Sequence, residues 1–191
     1  MFEQEVKTYL ASAKIPFEDA TTSKTALDFH LTRNNIYFDA KEKAQRFSAK
    51  NWGEPATNEE HLCIIDDLAA RKILYHAPLS FCLIKNSSVS PVLYHIFSIV
   101  DLFCAPKKRV RRPIEKSVKA FKGKWILDLR NAASFDRLAD AISYMLAYEK
   151  NFSYIFRDHI DCWGQYPSEE LRTAGTTRKA IHWSKDASAH T

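Results

Sequence analysis

Hydrophobic positions near the start of the chain repeat at the spacing of a helix. Phe2, Val6 and Leu10 recur every four residues with polar residues between them, which predicts a helix with one apolar face. The helix is expected to end before Pro16, because proline lacks an N–H and clashes with the preceding turn. Residues 18–25 are polar and predict a turn or loop.

The next two segments carry the pattern of half-buried strands. Residues 26–31 alternate in the strand manner and place Asp28 on the face opposite their largest apolar side chains. Residues 36–40 form a second β-rich run. Asn34-Asn35 lies between the two runs, and asparagine tolerates the positive φ of a tight turn. Together these features predict an antiparallel hairpin.

The rest of the chain alternates helical and strand-like patterns. The spacing predicts a helix over 61–77, with Thr57 or Asn58 as its cap, and a second helix over 134–149. The predicted strands are 79–85, 92–105 (bent near Ser98) and 125–129. This succession predicts an α/β fold.

Length and composition favour one folded domain. The chain has 191 residues, of which 46% are hydrophobic, and only 4 glycines and 7 prolines. This composition supplies a sizeable core and argues against a linker-rich chain. We predict a single domain over 1–166, with the polar residues 167–191 as a flexible tail.

Neither the start of the chain nor its apolar runs indicate a membrane protein. The first ten residues read as an amphipathic, acidic helix and not as a signal peptide. The longest apolar run, around 94–105, is too short for a membrane span and contains an aspartate. The expected location is therefore the cytoplasm, with no membrane partner. None of the 4 cysteines forms a Cys-x-x-Cys pair, and Cys63, Cys82 and Cys104 are expected to behave as small hydrophobic residues.

The charge balance is compatible with a polyanionic partner. The net charge is +5 and the pI is about 9.0, which many proteins without such a partner share. Further cations, among them Lys43 and Arg46, follow the predicted hairpin closely in sequence. The strongest cluster is a basic block made of Lys107, Lys108, Arg109, Arg111 and Arg112. These cations could contact phosphates, and the alternative for the block is an ordinary solvated loop.

Two aspartates of the predicted hairpin are expected to face each other. A turn near Asn34-Asn35 brings Asp28 nearly opposite Asp39, and opposed Cβ atoms on antiparallel strands are about 5 Å apart. Carboxylates that close repel each other, and a cation between them relieves the repulsion. Carboxylates, a backbone carbonyl and waters are the ligands of Mg²⁺ or Mn²⁺.

Lys41 should share a face with Asp39, because side chains alternate along a strand. An ammonium beside a metal can orient an attacking water or stabilise charge that builds on a phosphate. The acid-x-Lys spacing is weak evidence, since it also occurs at Glu5-Val6-Lys7 within the predicted helix. The β-strand context and the opposed Asp28 distinguish the second occurrence. The alternative is a solvated, charged hairpin.

The segment TALDFHL…NNIYFDAKEK resembles the core signature of the PD-(D/E)xK nuclease superfamily, in which an acid on one strand precedes acid-x-Lys at the end of the next. The resemblance covers about residues 1–105 and is to the Holliday-junction resolvase and phage-type members. It implies a restriction-endonuclease-like core, with a central mixed β-sheet flanked by helices. Leu27 stands where the family has proline.

The resemblance also implies roles for individual residues. Asp28, Asp39 and the backbone carbonyl of Ala40 would bind the metal, and Lys41 would position or activate the water. Glu3 would be the additional acid of the leading helix. Glu5 is the competing candidate for that acid, and His61 matches a polar position that opens the helix after the lysine; ordinary surface or capping roles are the alternatives for these three residues.

The resulting hypothesis is an endonuclease that uses Mg²⁺ or Mn²⁺ to hydrolyse DNA phosphodiester bonds, with DNA as the partner. The alternative is a catalytically inactive module of the same fold that binds nucleic acid or a protein. A homodimer would suit the cutting of two strands. The sequence does not indicate which DNA structure or base sequence the protein would cut, or whether it prefers DNA to RNA.

Overall fold

A computed structural model of the protein describes residues 1–48, 52, 58–105, 107–114 and 117–148, with the backbone alone for 112–114 and 117–121. All of them belong to one compact unit, Met1–Tyr148. The domain boundary predicted at 166 and the tail predicted at 167–191 lie outside the described residues.

Four α-helices and nine β-strands make up the described part of the chain. The helices are α1 (Phe2–Ser12), α2 (Asp67–Tyr75), α3 (Ile99–Cys104) and α4 (138–148). The strands are β1 (Phe17–Asp19), β2 (Phe29–Leu31), β3 (Ile36–Lys43), β4 (Leu62–Asp66), β5 (Ser80–Asn86), β6 (Leu93–Ser98), β7 (Lys108–Ile114), β8 (Ser117–Asp128) and β9 (Ala133–Phe135). A 3₁₀ turn, Leu129–Asn131, joins the last two strands.

The larger sheet is mixed and contains six strands in the order β1-β2-β3-β5-β6-β9. Strands β3 and β5 run parallel, and the other neighbours are antiparallel. The parallel pair needs a long connection, and the segment between its strands contains β4 and α2. The protein therefore has an α/β fold with a mixed central sheet and helices, as predicted.

The two faces of this sheet are covered differently. On one face, Phe2, Val6 and Leu10 of α1 pack with Phe38 of β3 and with apolar residues of α4. On the other face, apolar residues of β5 and β6 pack against α2, α3 and the smaller sheet. The smaller sheet has the order β4-β8-β7 and is antiparallel.

Two predicted elements each divide into two in the structure, and residues 18–19, predicted as turn or loop, belong to β1. The segment predicted as one helix over 61–77 is the strand β4 followed by the helix α2, which begins at Asp67 with Asp66 as its N-cap. Leu68 of α2 is 57% exposed, whereas Leu62 and Ile65 of β4 are buried. A short apolar run fits a strand as well as a helix, and pairing with β8 decides the outcome here.

The segment predicted as a strand over 92–105 also divides. It forms β6 and then turns into α3 at Ser98, whose side chain accepts a hydrogen bond from the N–H of Asp101 in a capping box. Cys104 at the end of α3 is exposed, whereas Cys63 and Cys82 are buried as predicted. The helix predicted over 134–149 is confirmed as α4 from residue 138 onwards, with Leu138, Ile142 and Met145 buried, but Ser134 and Phe135 belong to the strand β9.

Within the part of the chain that the structure describes, no helix is long and apolar enough to cross a membrane.

Candidate functional site

The hairpin of β2 and β3 has the register that the sequence predicts. Phe29 pairs with Phe38, so the next position on each strand brings Asp28 opposite Asp39. The turn contains Asn35 with a φ of 52°, a left-handed conformation that asparagine tolerates better than most residues. The local turn chemistry therefore sets the register that brings the two carboxylates together.

Asp28, Asp39 and Lys41 form a compact charged cluster. The Nζ of Lys41 lies 2.8 Å from Oδ2 of Asp39 and 3.6 Å from Oδ2 of Asp28. The N–H of Ala40 donates a hydrogen bond of 2.9 Å to the same Oδ2 of Asp28. Two carboxylates thus share one lysine, which leaves one negative charge of the cluster without a counter-charge.

Asp39 lies in an environment that disfavours its ionised form. Its side chain is 2% exposed, and its buried Oδ2 has no hydrogen bond in the described structure, only the ion pair with Lys41. Burial raises the pKa of Asp39 from 3.8 to about 6; Lys41 opposes the rise and Asp28 adds to it. Of the two carboxylates, Asp39 is therefore the one whose ionised form the structure destabilises.

Lys41 connects the carboxylates to the solvent. Its side chain is 41% exposed, in contrast to the two aspartates. Burial lowers the pKa of Lys41, but the neighbouring Asp39 and Asp28 outweigh this effect and raise the pKa above its ordinary range. Lys41 is accordingly a permanent cation at physiological pH, and its ammonium can reach a molecule that approaches from the solvent.

The residues fit a divalent cation in their donor chemistry. The N–H and the carbonyl of one strand residue point to the same edge of the strand, so the Ala40 carbonyl lies on the side of Asp28. Two carboxylates and this carbonyl give three oxygen donors with excess negative charge. Among the described residues, no group of three or more His, Cys, Asp or Glu side chains is placed to bind a metal. Waters or a substrate would therefore complete the coordination.

The acids of α1 are not brought into this cluster. The carboxylate of Glu5 forms an ion pair with Lys85 and accepts a hydrogen bond of 2.6 Å from Tyr94 Oη. Glu3 lies on the same helix and is half-buried. Helix α1 covers the face that Phe38 and Ala40 line, whereas Asp39 and Lys41 face the other side of the strand. His61 does not open a helix either; it precedes β4 and lines a cavity.

One of the residues expected to contact phosphates is buried. Lys43 is 2% exposed, and its Nζ donates hydrogen bonds to the Glu60 carbonyl (3.0 Å) and to Ser88 Oγ (2.6 Å). The prediction fails because the ammonium of Lys43 is enclosed by two acceptors from distant segments, one before β4 and one in the β5–β6 connection. Arg46 is exposed and forms an ion pair of 2.7 Å with Glu60.

The basic block lies on the strand β7, with Lys107 directly before it, so the alternative of a solvated loop is wrong. Arg109 is held in place, because its guanidinium donates two hydrogen bonds, of 2.8 and 3.0 Å, to Asp67. Lys107 donates to the Phe103 carbonyl at 2.6 Å. Lys108 and Arg111 are exposed, and Arg112 belongs to the part of β7 described by its backbone alone.

Two polar arrangements have no counterpart in the sequence analysis. Asp67 also accepts a hydrogen bond of 2.8 Å from Trp125 Nε1, and its hydrogen bonds with Arg109 and then Trp125 lower its pKa to about 2. His95 of β6 is buried beside Ser134 of β9. Only the pairing of distant segments creates these contacts, so no local spacing signals them.

Comparisons of the chain with protein-family models, with curated protein sequences and with solved structures find no match.

Proposed function

We propose that the protein is a metal-dependent endonuclease with a restriction-endonuclease-like core, which hydrolyses DNA phosphodiester bonds with Mg²⁺ or Mn²⁺. The observation that carries the proposal is the cluster of Asp28, Asp39 and Lys41, in which two buried carboxylates share one partly exposed lysine. A solvated charged hairpin would not hold one of its acids at 2% exposure with a pKa of about 6.

The arrangement of the elements supports the same proposal. Helix α1 comes first, the strand pair β2 and β3 carries the acids, and α2 precedes β5, which lies parallel to β3. Apart from β1 and β4, this is the order that the resemblance to PD-(D/E)xK nucleases implies. The extra acid that the resemblance assigns to the leading helix is a point of difference, since α1 covers the opposite face of β3.

Each residue of the cluster has a distinct role in the proposal. Asp28, Asp39 and the Ala40 carbonyl would hold the metal, which when bound supplies Lewis acidity and an acidified water. Lys41 keeps its charge throughout, because its half-exposed ammonium can swing from Asp39 towards the solvent without losing a proton. There Lys41 orients the attacking water or stabilises the charge that develops on the phosphate.

The exposed cations of the β7–β8 hairpin would supply sequence-independent affinity for DNA. Lys108, Arg111 and Lys122 are exposed, and each contact with a phosphate releases counterions. Their simultaneous neutralisation is expected to weaken binding and to flatten its dependence on salt. An unchanged salt slope would remove this hairpin from the proposed DNA surface.

The test is cleavage of labelled duplex, single-stranded and branched DNA and of RNA, with Mg²⁺, Mn²⁺ or EDTA. Asp39→Asn should abolish metal-dependent cutting and weaken Mn²⁺ binding in calorimetry, while the far-UV circular dichroism is unchanged. Asp140→Asn is the matched control, because Asp140 is an aspartate paired with a cation, Arg137 at 2.7 Å, outside the proposed site. It should cut normally.

Either of two results would overturn the proposal. No substrate is cut under any condition and calorimetry detects no metal binding, or Asp39→Asn cuts as fast as the unaltered protein.

A further inference from the structure

A cavity of about 220 Å³ opens at the end of the central sheet where β5 and β6 meet the 3₁₀ turn. Apolar side chains such as Leu93 and Leu129 form much of its wall. The polar groups that line it are those of His61, Asn86, Ser90, His95, Arg130 and Ser134. Among the described lining residues none is acidic. A mostly apolar wall with a few polar groups is typical of a site for a small organic ligand.

His95 is the residue that makes this cavity unusual. It is 4% exposed, and its buried Nε2 has no hydrogen-bond partner in the described structure. Its Nδ1 lies 2.8 Å from Ser134 Oγ, so that side of the ring is satisfied. A buried polar atom left without a partner destabilises the folded protein, because it has lost its hydrogen bonds to water. A ligand that supplies the missing bond would relieve this cost.

His95 can meet either kind of hydrogen-bonding group. Burial, together with the nearby His61 and Lys43, lowers the pKa of His95 to about 4, so the imidazole is neutral at physiological pH. A serine hydroxyl donates or accepts, so Ser134 is compatible with either tautomer of the ring. The free nitrogen can therefore donate to a ring nitrogen or carbonyl, or accept from an amino group.

The cavity lies on the same face of the sheet as the carboxylate cluster. Lys41 pairs with Ile84, and Ile84 pairs with His95, so the three side chains form one row across neighbouring strands. Neighbouring strands are about 4.8 Å apart, which places the backbone of His95 about 10 Å from that of Lys41. Ile84 is buried in the core between them, so a nucleic-acid strand that occupied both sites would have to pass over the second layer of the fold.

We propose that this cavity binds one unpaired nucleobase of a nucleic-acid strand, an inference that rests on the proposed nuclease function for its position relative to the cut. The volume of about 220 Å³ is enough for one planar heterocycle. The partly exposed side chain of Leu93 would contact one face of the ring. The polar edge of the base would form hydrogen bonds with His95, His61 and Arg130. Arg130 is held in place because it donates a hydrogen bond of 2.6 Å to Asp128.

The first experiment tests the cavity without any phosphate or metal. Deoxyadenosine, deoxycytidine, deoxyguanosine and thymidine are titrated into the full chain in EDTA, with the imidazole signals followed by NMR. The His95 signal is assigned by its loss in His95→Gln. At least one nucleoside should shift this signal, and deoxyribose alone should not. If no nucleoside shifts it up to the solubility limit, the proposal is overturned.

The second experiment uses a variant that keeps the buried histidine. Ser134→Ala removes the partner of Nδ1 and should weaken nucleoside binding about 5- to 50-fold. The matched control is Ser12→Ala, another exposed serine with one hydrogen bond (2.8 Å, to the Tyr9 carbonyl), which should bind unchanged. Equal binding by both variants overturns the proposal.

Cleavage separates this inference from the function on which it rests. Substrates with an unpaired nucleotide at the cut should show a higher KM with Ser134→Ala than with Ser12→Ala, while a fully paired duplex should not distinguish the two. Nucleoside binding without cleavage of any substrate would support the base-binding cavity and contradict the proposed nuclease function. Metal-dependent cleavage without nucleoside binding would support the nuclease function and contradict the base-binding cavity.

Discussion

Replacement of Asp39 by asparagine should stabilise the metal-free protein. Asparagine has nearly the shape of aspartate, so the packing around the side chain is retained, but it carries no charge. Burial, opposed by Lys41 and reinforced by Asp28, raises the pKa of Asp39 from 3.8 to about 6. The folded protein therefore holds a proton that the unfolded chain has released over this range of pH.

The sign and size of the effect follow from this shift. Between pH 4 and 6 the native state binds more protons than the unfolded state, so stability falls as the pH rises. Above pH 6 the ionised Asp39 lowers the free energy of unfolding by about 3 kcal/mol, at about 1.4 kcal/mol per pKa unit. The neutral amide of the Asp39→Asn variant would avoid this loss. Lys41 keeps Asp28 at 3.6 Å and solvent as partners, so we expect a net gain of about 1–3 kcal/mol at pH 8.

The assay is urea and thermal denaturation in EDTA at pH 4 and pH 8. At pH 4 Asp39 is protonated in the folded state, so Asp39→Asn and the unaltered protein should differ little. At pH 8 the variant should be more stable, with a melting temperature higher by about 2–4 °C for each kcal/mol. Mn²⁺ should reduce the difference in stability between the variant and the unaltered protein, because it stabilises the unaltered protein by binding its native state. A variant that is less stable at pH 8, or equally stabilised at both pH values, would refute the electrostatic reasoning.

Three other substitutions test separate parts of the structure. Lys41→Ala should slow cleavage about 10²- to 10⁴-fold with Mn²⁺ affinity nearly retained, measured by single-turnover kinetics and calorimetry; unchanged turnover would make Lys41 a bystander. Gly123→Ala should destabilise the protein by about 1–3 kcal/mol in urea, because the new Cβ would lie 2.8 Å from Asp67 Cβ. Ser98→Ala should lower stability by about 0.5–2 kcal/mol through loss of the capping box with Asp101, and an unchanged denaturation midpoint would contradict that role.

The hairpin could be predicted because its determinants are local. The asparagine turn, the alternation of apolar residues and the positions of Asp28 and Asp39 all lie within about a dozen residues. The register that faces Phe29 with Phe38 follows from the turn alone. Lys41 shares the face of Asp39 for the same reason, so the cluster of three side chains is the part of the site that the pattern could specify.

The errors arise where a distant segment decides the structure. β4 is a strand because it pairs with β8, and the register joins Leu62 to Asp128 across more than sixty positions of the chain. The start of α3 is different, since Ser98-x-x-Asp101 is a local signature of a helix N-terminus that a sequence can reveal. The phosphate contact predicted for Lys43 is wrong because no local pattern shows which distant acceptors surround its ammonium.

Buried polar atoms without a hydrogen bond distinguish one face of the central sheet from the other in the described residues. In the described part of the chain, three buried side-chain atoms have no hydrogen bond, and two of them are Asp39 Oδ2 and His95 Nε2. The row from Lys41 through Ile84 to His95 puts both on one face, while on the face against α1 the polar side chains of Lys85 and Tyr94 are both bonded to Glu5. Asp39 Oδ2 still has its ion pair with Lys41, whereas His95 Nε2 has no hydrogen-bond partner in the described structure. This difference is the geometric basis for proposing a metal at the first group and a base at the second.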